Sequence, residues 1–311
     1  RLRLLMYAGD RLENGPQQFS DIVSEGNLIE SNADNAALTY TGSFPNEFPL
    51  VPLKTGDFDA LALAKASADV MKEHNDPRLY RYARPNNDNF EEYQDTLFVY
   101  DSTEMEFDTI IPILGAVNGQ GVECSKAGAS RLGVQYYNYP DFTSASNLNL
   151  PMSEGIMMTH AEVEFLLAEG IAKGWISGSI EDHYRAGIES SMEYHRVDLA
   201  PFGWSDFDGF YNNSGIAYSE ITDIWEQKWL ALFFTGMEPY FEVRRWYVES
   251  GKSFDGIPFL EATCGNINND NLPLRLLYPG EEQSLNGANY QDAINKLGGS
   301  NSQNAEMWLV Q

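Results

Sequence analysis

Apolar residues between positions 157 and 248 recur at intervals of three and four, which is the spacing of amphipathic helices. The clearest pattern covers residues 157–175, where Thr159 and Glu162 have the spacing of a capping box. In that motif each side chain satisfies a free amide of the first helical turn. Gly174 supplies a residue that can end the helix. We therefore predict a helix that begins beside Thr159, within a helical scaffold over 157–248.

Further helices are predicted in the same scaffold. Ser179 opens one whose apolar residues recur at every fourth position as far as Met192. It forms a hairpin with the preceding helix, and the pair is similar to one tetratricopeptide unit. Another helix is predicted over 219–235, and a short one follows through Arg245. Four aromatic residues of this stretch follow the helical period and are interpreted as core, namely Trp225, Trp229, Phe233 and Phe234.

A helix is also predicted over 57–75, where the apolar residues are spaced by three and four and Pro77 follows. From 84 to 151 the chain is rich in Asn, Asp, Gly and Tyr, a composition typical of loops. Because ordered loops of this length are usually functional, we interpret 84–151 as the ligand-side region. Its short β-like runs are 96–100 and 110–114.

The segment 251–311 is predicted to be loop-rich, with one helical pattern from Tyr290 to Leu297. The first residues, RLRLLMYAGD, have the pattern of a helix end and carry neither a leader sequence nor a lipid-acceptor cysteine, so we expect further residues upstream. Together these patterns predict a mainly α fold in one domain over residues 1–311. It consists of a tetratricopeptide-like scaffold, long irregular loops and a few short strands.

Charge narrows the possible functions. With 46 acidic and 20 basic residues, the net charge of −26 repels nucleic-acid phosphates and anionic lipid surfaces. A surface rich in Asn and Tyr instead suits neutral solutes, since sugars and polar peptides are bound by amides and aromatic faces. The sequence contains no run of about 18 apolar residues, which is the length that a membrane-spanning helix requires. Cys124 and Cys264 are too few for a disulfide scaffold, and whether they are bonded is left open.

Motifs for catalysis or metal binding are missing from the sequence. Its histidines form no HExxH pair, and His160 with Glu164 is a single i,i+4 match that helix surfaces produce freely. The run from Asp206 to Gly209 resembles a calcium loop without its later ligands, which leaves Ca²⁺ open but unsupported. No nucleophile elbow, Walker loop or Rossmann glycine pattern occurs. We predict no catalytic residue, no metal site and no cofactor. The charges of the last scaffold helix are interpreted as surface ion pairs, formed by Glu238, Glu242, Arg244 and Arg245.

Aromatic residues in predicted loops are the candidates for ligand contact, because a ring outside a regular element has no periodic face to bury against. In two clusters an Asn adjoins the rings, so the rings can stack on sugar faces while the amide binds hydroxyls. The alternative is that these rings fasten loops to the scaffold. The predicted ligand-binding residues are Tyr136, Tyr137, Asn138 and Tyr139 in one cluster and Trp204, Phe207, Tyr211 and Asn212 in the other.

Five segments, in the same order, resemble the SusD/RagB outer-membrane lipoproteins and especially their SusD-like subgroup. The likeness spans nearly the whole chain. It departs after Arg245, where Trp246 replaces the small residue that is usual in the family, and at Trp308, where a second tryptophan is common. The segments are RLRLLMYAG at the start, NDPRLYRY at 75–82, MMTHAEVEFLLAEGIAKGW at 157–175, EQKWLALFFTGMEPYFEVRRW at 226–246 and LLYPGEEQSLNGANYQDAINKLGG at 276–299.

The resemblance implies a helical scaffold with ligand-binding loops and no catalysis. It implies a surface-exposed lipoprotein, held at the outer membrane by an upstream lipid anchor, that captures oligosaccharides for a SusC-like TonB-dependent transporter. Two alternatives stay open. The ligand could be a peptide or another nutrient of the same transport system, or the protein could be an acidic hydrolase, which would need a carboxyl group with a raised pKa.

Overall fold

The structure is a computed structural model that describes residues 1–40, 45–46, 62–83, 98–101, 106–110, 130, 132, 154–253, 255–257, 268 and 271–307. Most of its regular elements are helices, as the sequence predicts. The helices are α1 Leu2–Ala8, α2 Gly15–Glu25, α3 Lys65–Glu73, α4 Leu79–Tyr82, α5 His160–Ala172, α6 Ile180–Tyr194, α7 Phe207–Asn213, α8 Ile221–Ala231, α9 Glu238–Glu249, α10 Gly280–Leu285 and α11 Gly287–Lys296. The strands are β1 Ala36–Thr39, β2 Phe98–Asp101, β3 Glu106–Ile110 and β4 Glu154–Met158.

The helices α5 and α6 begin at the predicted N-caps, although the second half of the capping box at Thr159 is replaced by an ion pair between Glu162 and Arg3. The Thr159 hydroxyl accepts a hydrogen bond from the Glu162 amide over 3.2 Å, and Ser179 caps α6 in the same way. The helices approach closely because Gly187 has no side chain. A Cβ atom at Gly187 would lie 2.8 Å from the Phe165 ring. The hairpin and its helical neighbours form the predicted tetratricopeptide-like scaffold.

An apolar core fills the space between α5, α6, α7 and α8. Its buried residues share an aliphatic or aromatic side chain, and they include Phe165, Tyr184, Ile188, Met192, Phe210, Tyr211, Ile216 and Ile224. A second cluster joins α1 and α2 to the hairpin, where Phe19 and Leu166 are buried together. The first helix of the chain is therefore part of the folded scaffold.

The helix α8 is shorter than the predicted span of 219–235. It begins at Ile221 because the side chains of Glu220 and Asp223 form a reciprocal capping box. It ends at Ala231, and the chain then turns through Phe234 and Gly236, which have φ values of 66° and 69°. Left-handed backbone at these positions ends a right-handed helix. The next helix, α9, continues to Glu249, past the predicted end at Arg245.

The predicted helix over 57–75 begins later than expected. Residues 57–61 lie outside the described residues, and the backbone at Ala64 is extended, so α3 starts at Lys65. The Leu63 amide donates to the Ser130 carbonyl over 2.9 Å, so the residues just before α3 bind a segment that is distant in the sequence. Helical spacing alone could not exclude that long-range partner. The end of α3 at Glu73 lies close to the predicted end.

The segment after α3 is held by a buried ion pair that sequence reasoning did not predict. Arg78 Nε lies 3.0 Å from Asp76 Oδ2, and the Arg78 side chain is fully buried. The same guanidinium donates to Gln227 of α8 over 2.5 Å and lies 3.4 Å from the Ser191 hydroxyl of α6. The acidic and basic residues of the NDPRLYRY segment therefore join three parts of the scaffold.

Two small antiparallel sheets accompany the helices, β1 with β4 and β2 with β3. The strand predicted at 96–100 overlaps β2. Of the run predicted at 110–114, only Ile110 lies within the described residues, and it is the last residue of β3. Near the carboxyl end, α11 covers the predicted helical pattern, and α10 is an additional helix. The described residues include no helix that is long and apolar enough to cross a membrane.

Candidate functional site

The predicted aromatic cluster of Trp204, Phe207, Tyr211 and Asn212 lies on and beside α7, and we call it the α7 patch. The expectation that these residues occupy a loop is wrong for the last three, because residues 207–213 are helical. The Asp206 side chain caps α7 by accepting the Gly209 amide over 2.7 Å. The local sequence that resembled a calcium loop is therefore a helix start. Within the described part of the chain, no group of three metal-ligating side chains is found.

Tyr211 is buried, with 2% of its surface exposed, so its ring cannot serve as a contact surface. Its hydroxyl accepts the Tyr218 amide over 3.1 Å, and burial raises the pKa of Tyr211 above its ordinary value. The ring also packs with Tyr184 in the apolar core. Tyr211 is a structural residue, which corrects its prediction as a ligand-binding residue.

Trp204 is half-buried and packs edge-on against Phe210, with the ring centroids 5.6 Å apart. Its indole N–H donates to the Asn75 carbonyl over 3.3 Å. The alternative reading of a ring that fastens a loop to the scaffold therefore describes part of its role. The remaining exposed part of the ring is still available at the surface.

Phe207 and Asn212 present the accessible side of the α7 patch. Phe207 is half-buried, and the Arg185 guanidinium of α6 lies 5.2 Å from its ring centroid. Arg185 also pairs with Asp208, which fixes the cation beside the ring. Asn212 is exposed, and its amide nitrogen donates to the Asp208 carbonyl over 2.8 Å, an interaction that orients the side chain. An aromatic face beside a cation and an amide suits a neutral, hydroxyl-rich ligand.

The second predicted cluster, formed by Tyr136, Tyr137, Asn138 and Tyr139, lies outside the described residues, as do Cys124 and Cys264. Its ligand-binding role stays a prediction.

Three of the four aromatic residues that the sequence assigned to the core lie in it or against it. Trp225 is buried, while Trp229 and Phe233 are partly buried. Phe233 stacks on Tyr82 with the ring centroids 4.2 Å apart. Trp229, Phe233 and Phe234 border a cavity of about 250 Å³. This cavity is smaller than the roughly 300 Å³ at which ligand pockets begin, and we do not assign it to a ligand.

Of the four α9 residues interpreted as surface ion pairs, Glu242 and Arg245 do pair, but they are buried, which corrects that interpretation. Glu238 is partly exposed and pairs with Arg3 instead, and Arg244 has no carboxylate partner within the described residues. Lys228 Nζ lies 2.9 Å from Glu169 Oε1 and 2.8 Å from Glu242 Oε2. Arg245 Nη2 lies 2.7 Å from each of the same carboxylates. Burial alone would raise the pKa of Glu242, but Arg245 and Lys228 hold that pKa at about 2. We call Glu169, Lys228, Glu242 and Arg245 the ionic core. Its two cations match its two carboxylates, which gives it a structural role.

The His160–Glu164 match has a partner on the neighbouring helix. Glu164 Oε1 lies 3.2 Å from His160 Nε2, and Glu164 Oε2 lies 2.7 Å from His183 Nδ1. His160 Nδ1 is also 3.0 Å from the Ser190 hydroxyl. One carboxylate therefore contacts an imidazole of each helix, through a hydrogen bond to His183 of α6 and an ion-pair contact with His160 of α5, and this arrangement stabilises the hairpin.

Comparisons with known proteins place this geometry in a family context. Residues 1–279 match the family model named SusD-like and described as starch-binding associating with outer membrane. A SusD homolog from Bacteroides fragilis is 25% identical, with a TM-score of 0.72, and the match covers 100% of this chain and 65% of that chain. A search of curated proteins finds no match.

Two further solved structures support the fold. A SusD homolog from Bacteroides uniformis is 22% identical with a TM-score of 0.67, and the match covers 100% of this chain and 63% of that one. A chitin-binding SusD homolog from Flavobacterium johnsoniae is 18% identical with a TM-score of 0.68, covering 100% of this chain and 62% of that one. The chain thus spans less than two thirds of the length of each of these relatives.

Proposed function

Because this chain belongs to the SusD-like family, we propose that it binds oligosaccharides at the bacterial surface and passes them to a SusC-like TonB-dependent transporter. The observation that carries the proposal is the family match over residues 1–279, whose description names starch binding at the outer membrane. The chitin-binding relative supports the same ligand class. In this proposal the protein is a surface lipoprotein that binds its ligand without turnover.

Within the described residues, we assign ligand contact to the α7 patch. Phe207 supplies a partly exposed aromatic face, and Asn212 supplies an oriented amide for ligand hydroxyls. Trp204 extends the aromatic surface. The buried ring of Tyr211 packs against the Phe207 ring and so supports the α7 patch. The cluster from Tyr136 to Tyr139 is proposed as a further contact.

The test is calorimetric titration of the 311-residue chain with maltoheptaose and chitohexaose, which represent starch and chitin. Phe207→Ala should weaken binding about tenfold, because one stacked ring contributes on the order of 1.4 kcal/mol. Asn212→Ala should weaken binding by about fivefold through the loss of one hydrogen-bonding amide. Tyr290→Ala removes a half-buried ring from α11 and should leave binding unchanged.

The same titrations decide between the proposal and its alternatives. Binding of either glycan without product formation supports capture. If only peptides bind, the ligand class changes within the same family. Accumulation of shortened oligosaccharides would show catalysis and overturn the proposal, and an unchanged affinity of Phe207→Ala would remove the α7 patch from the site.

Delivery and anchoring require the whole gene product in cells. Copurification of a TonB-dependent transporter with the tagged protein is the expected result for a delivery component. Metabolic labelling with a fatty acid should mark the protein if it is a lipoprotein. Failure of both experiments would leave a glycan-binding protein outside this transport system.

A further inference from the structure

A groove separate from the α7 patch lies between α1 and α9. Its volume is about 810 Å³, within the range of small-molecule pockets. Apolar side chains that are open to solvent form much of its wall. Leu4 is 70% exposed, Met157 is 60% exposed and Phe241 is 37% exposed. Exposed apolar groups that line a concave surface are a common feature of ligand sites.

Each acidic residue of this groove already has a cationic partner. Asp10 and Glu249 both pair with Lys173, at 2.8 Å and 2.7 Å. Glu238 pairs with Arg3 at 3.3 Å. None of these three carboxylates therefore needs a cation from a ligand.

The basic residues are not fully neutralised. Arg1 pairs with Glu25 at 3.5 Å, Arg3 with Glu162 and Glu238, and Arg245 with the carboxylates of the ionic core. Arg11 and Arg244 also line the groove, and neither has a carboxylate partner among the residues that the structure describes. Arg11 and Arg244 are therefore the cations of this groove that have no direct anionic partner within the described residues.

Arg244 is the more informative of the two because it is buried, with 7% of its surface exposed. Its Nε atom has no hydrogen-bond partner, and its Nη2 atom has only the weak acceptor Met307 Sδ, at 3.7 Å, within the described residues. Its guanidinium lies 5.3 Å from the Tyr240 ring centroid. Burial lowers the pKa of Arg244, because no nearby carboxylate opposes the effect of burial.

A buried guanidinium without a carboxylate is costly unless another anion pairs with it. We propose that the α1–α9 groove binds an amphipathic carboxylate, whose charged end pairs with Arg244 and whose apolar body covers Leu4, Met157 and Phe241. The planar guanidinium can hold a carboxylate through two parallel hydrogen bonds. The exposed apolar wall then supplies the remaining contact area. The proposal shares no residue with the α7 patch.

The probe is decanoate, titrated calorimetrically into the 311-residue chain, with decanamide and acetate as comparison ligands. Decanamide keeps the apolar body without the charge, and acetate keeps the charge without the apolar body. We expect one molecule of decanoate to bind per chain. Each comparison ligand should bind at least about tenfold more weakly, since each loses one of the two interactions.

Variants locate the site. Arg244→Gln should weaken decanoate binding by at least about tenfold. Leu4→Asn should weaken it by about fivefold, and its folding should be preserved because Leu4 is 70% exposed. Lys296→Gln is the matched control, because it removes one positive charge from α11, outside the groove, and should change the affinity by less than about twofold.

The outcomes separate clearly. No decanoate binding, equal binding of decanamide, or full affinity in Arg244→Gln would each overturn the proposal. If Arg244→Gln does not fold, the ligand series on the unaltered chain and the Leu4→Asn variant decide the question. Oligosaccharide affinity should be the same with and without decanoate, so failure of this proposal is distinguishable from failure of the proposed glycan site.

Discussion

Two adjoining cores of the scaffold are equally buried but opposite in chemistry. The apolar core around Phe210 joins α5, α6, α7 and α8, and the ionic core joins Glu169 of α5, Lys228 of α8 and two residues of α9. Removing an apolar side chain costs the area and volume that it filled. Removing one charge from the ionic core also leaves its partners uncompensated away from water. The two cores should therefore respond differently to substitution and to pH.

The largest effect is expected for Lys228→Met, which keeps the volume but leaves Glu169 and Glu242 with Arg245 alone. Stability should fall by about 5 kcal/mol, because breaking a buried ion cluster exposes its desolvation cost. Chemical denaturation checks the free energy of unfolding. Lys296→Met is the control, since Lys296 is exposed and pairs with Asp292 at the surface; the free energy of unfolding of this variant should hardly change. Similar stability of both variants would contradict the assignment of an ionic core.

The apolar core is tested by Phe210→Ala. Phe210 is fully buried, so its truncation should lower the free energy of unfolding by about 4 kcal/mol through lost burial and a new cavity. Phe207→Ala, three residues earlier on α7, should cost clearly less because Phe207 is partly exposed. Urea unfolding of both variants gives the comparison. Equal losses would mean that α7 is not anchored through Phe210.

Acidification should weaken the ionic core selectively. Because the pKa of Glu242 is about 2 in the folded protein, below the ordinary value of 4.5, its contribution is fully present above pH 4.5. That contribution is lost as the pH falls through about 2, and it amounts to roughly 3 kcal/mol. The measurement is the unfolding free energy between pH 7 and pH 2. The free energy of unfolding of Glu242→Gln should be lower at pH 7 and should decline less steeply towards pH 2. A pH dependence equal to that of the unaltered chain would contradict the pairing.

A smaller effect is expected at the edge of the apolar core. Trp204→Ala should lower stability by about 2 kcal/mol, because the half-buried indole packs on Phe210 and donates to the Asn75 carbonyl. Trp204→Phe keeps most of the ring contact and should lose about 1 kcal/mol, the value of one hydrogen bond. Thermal unfolding distinguishes the two. If Trp204→Ala were as stable as the unaltered chain, Trp204 would contribute nothing to the apolar core, as is expected from the sequence for a ligand-binding residue in a loop.

The comparison between the cores also explains which predictions from the sequence succeeded. Apolar residues at helical spacing predict the apolar core, because periodic burial of one helix face is a local property. Glu169 lies within the helix-forming stretch 157–175, and no periodic rule separates a buried carboxylate from an exposed one. The ionic core can be recognised only from the tertiary structure, because its residues lie on three different helices, α5, α8 and α9.

The α7 patch shows the same limit on a smaller scale. The sequence singles out its residues as aromatic side chains beside an amide, but it cannot decide which of these rings face solvent. Asp206 supplied a usable local signal, since an acidic residue before a short helix is a common N-cap. Even so, the burial of Tyr211 depends on Tyr184 and Tyr218, which lie on other segments.

By itself, the sequence determined the mainly α fold, the caps at Thr159 and Ser179, and the family resemblance, because these depend on residue type and on spacing along the chain. Only the tertiary structure decided that Glu169 and Glu242 share two cations and that Arg244 lines a groove with no carboxylate partner within the described residues. The physical reason is that charge pairing and burial depend on distances between residues that are remote in the chain. Local spacing specifies helices, and the packing of those helices specifies which charges are matched.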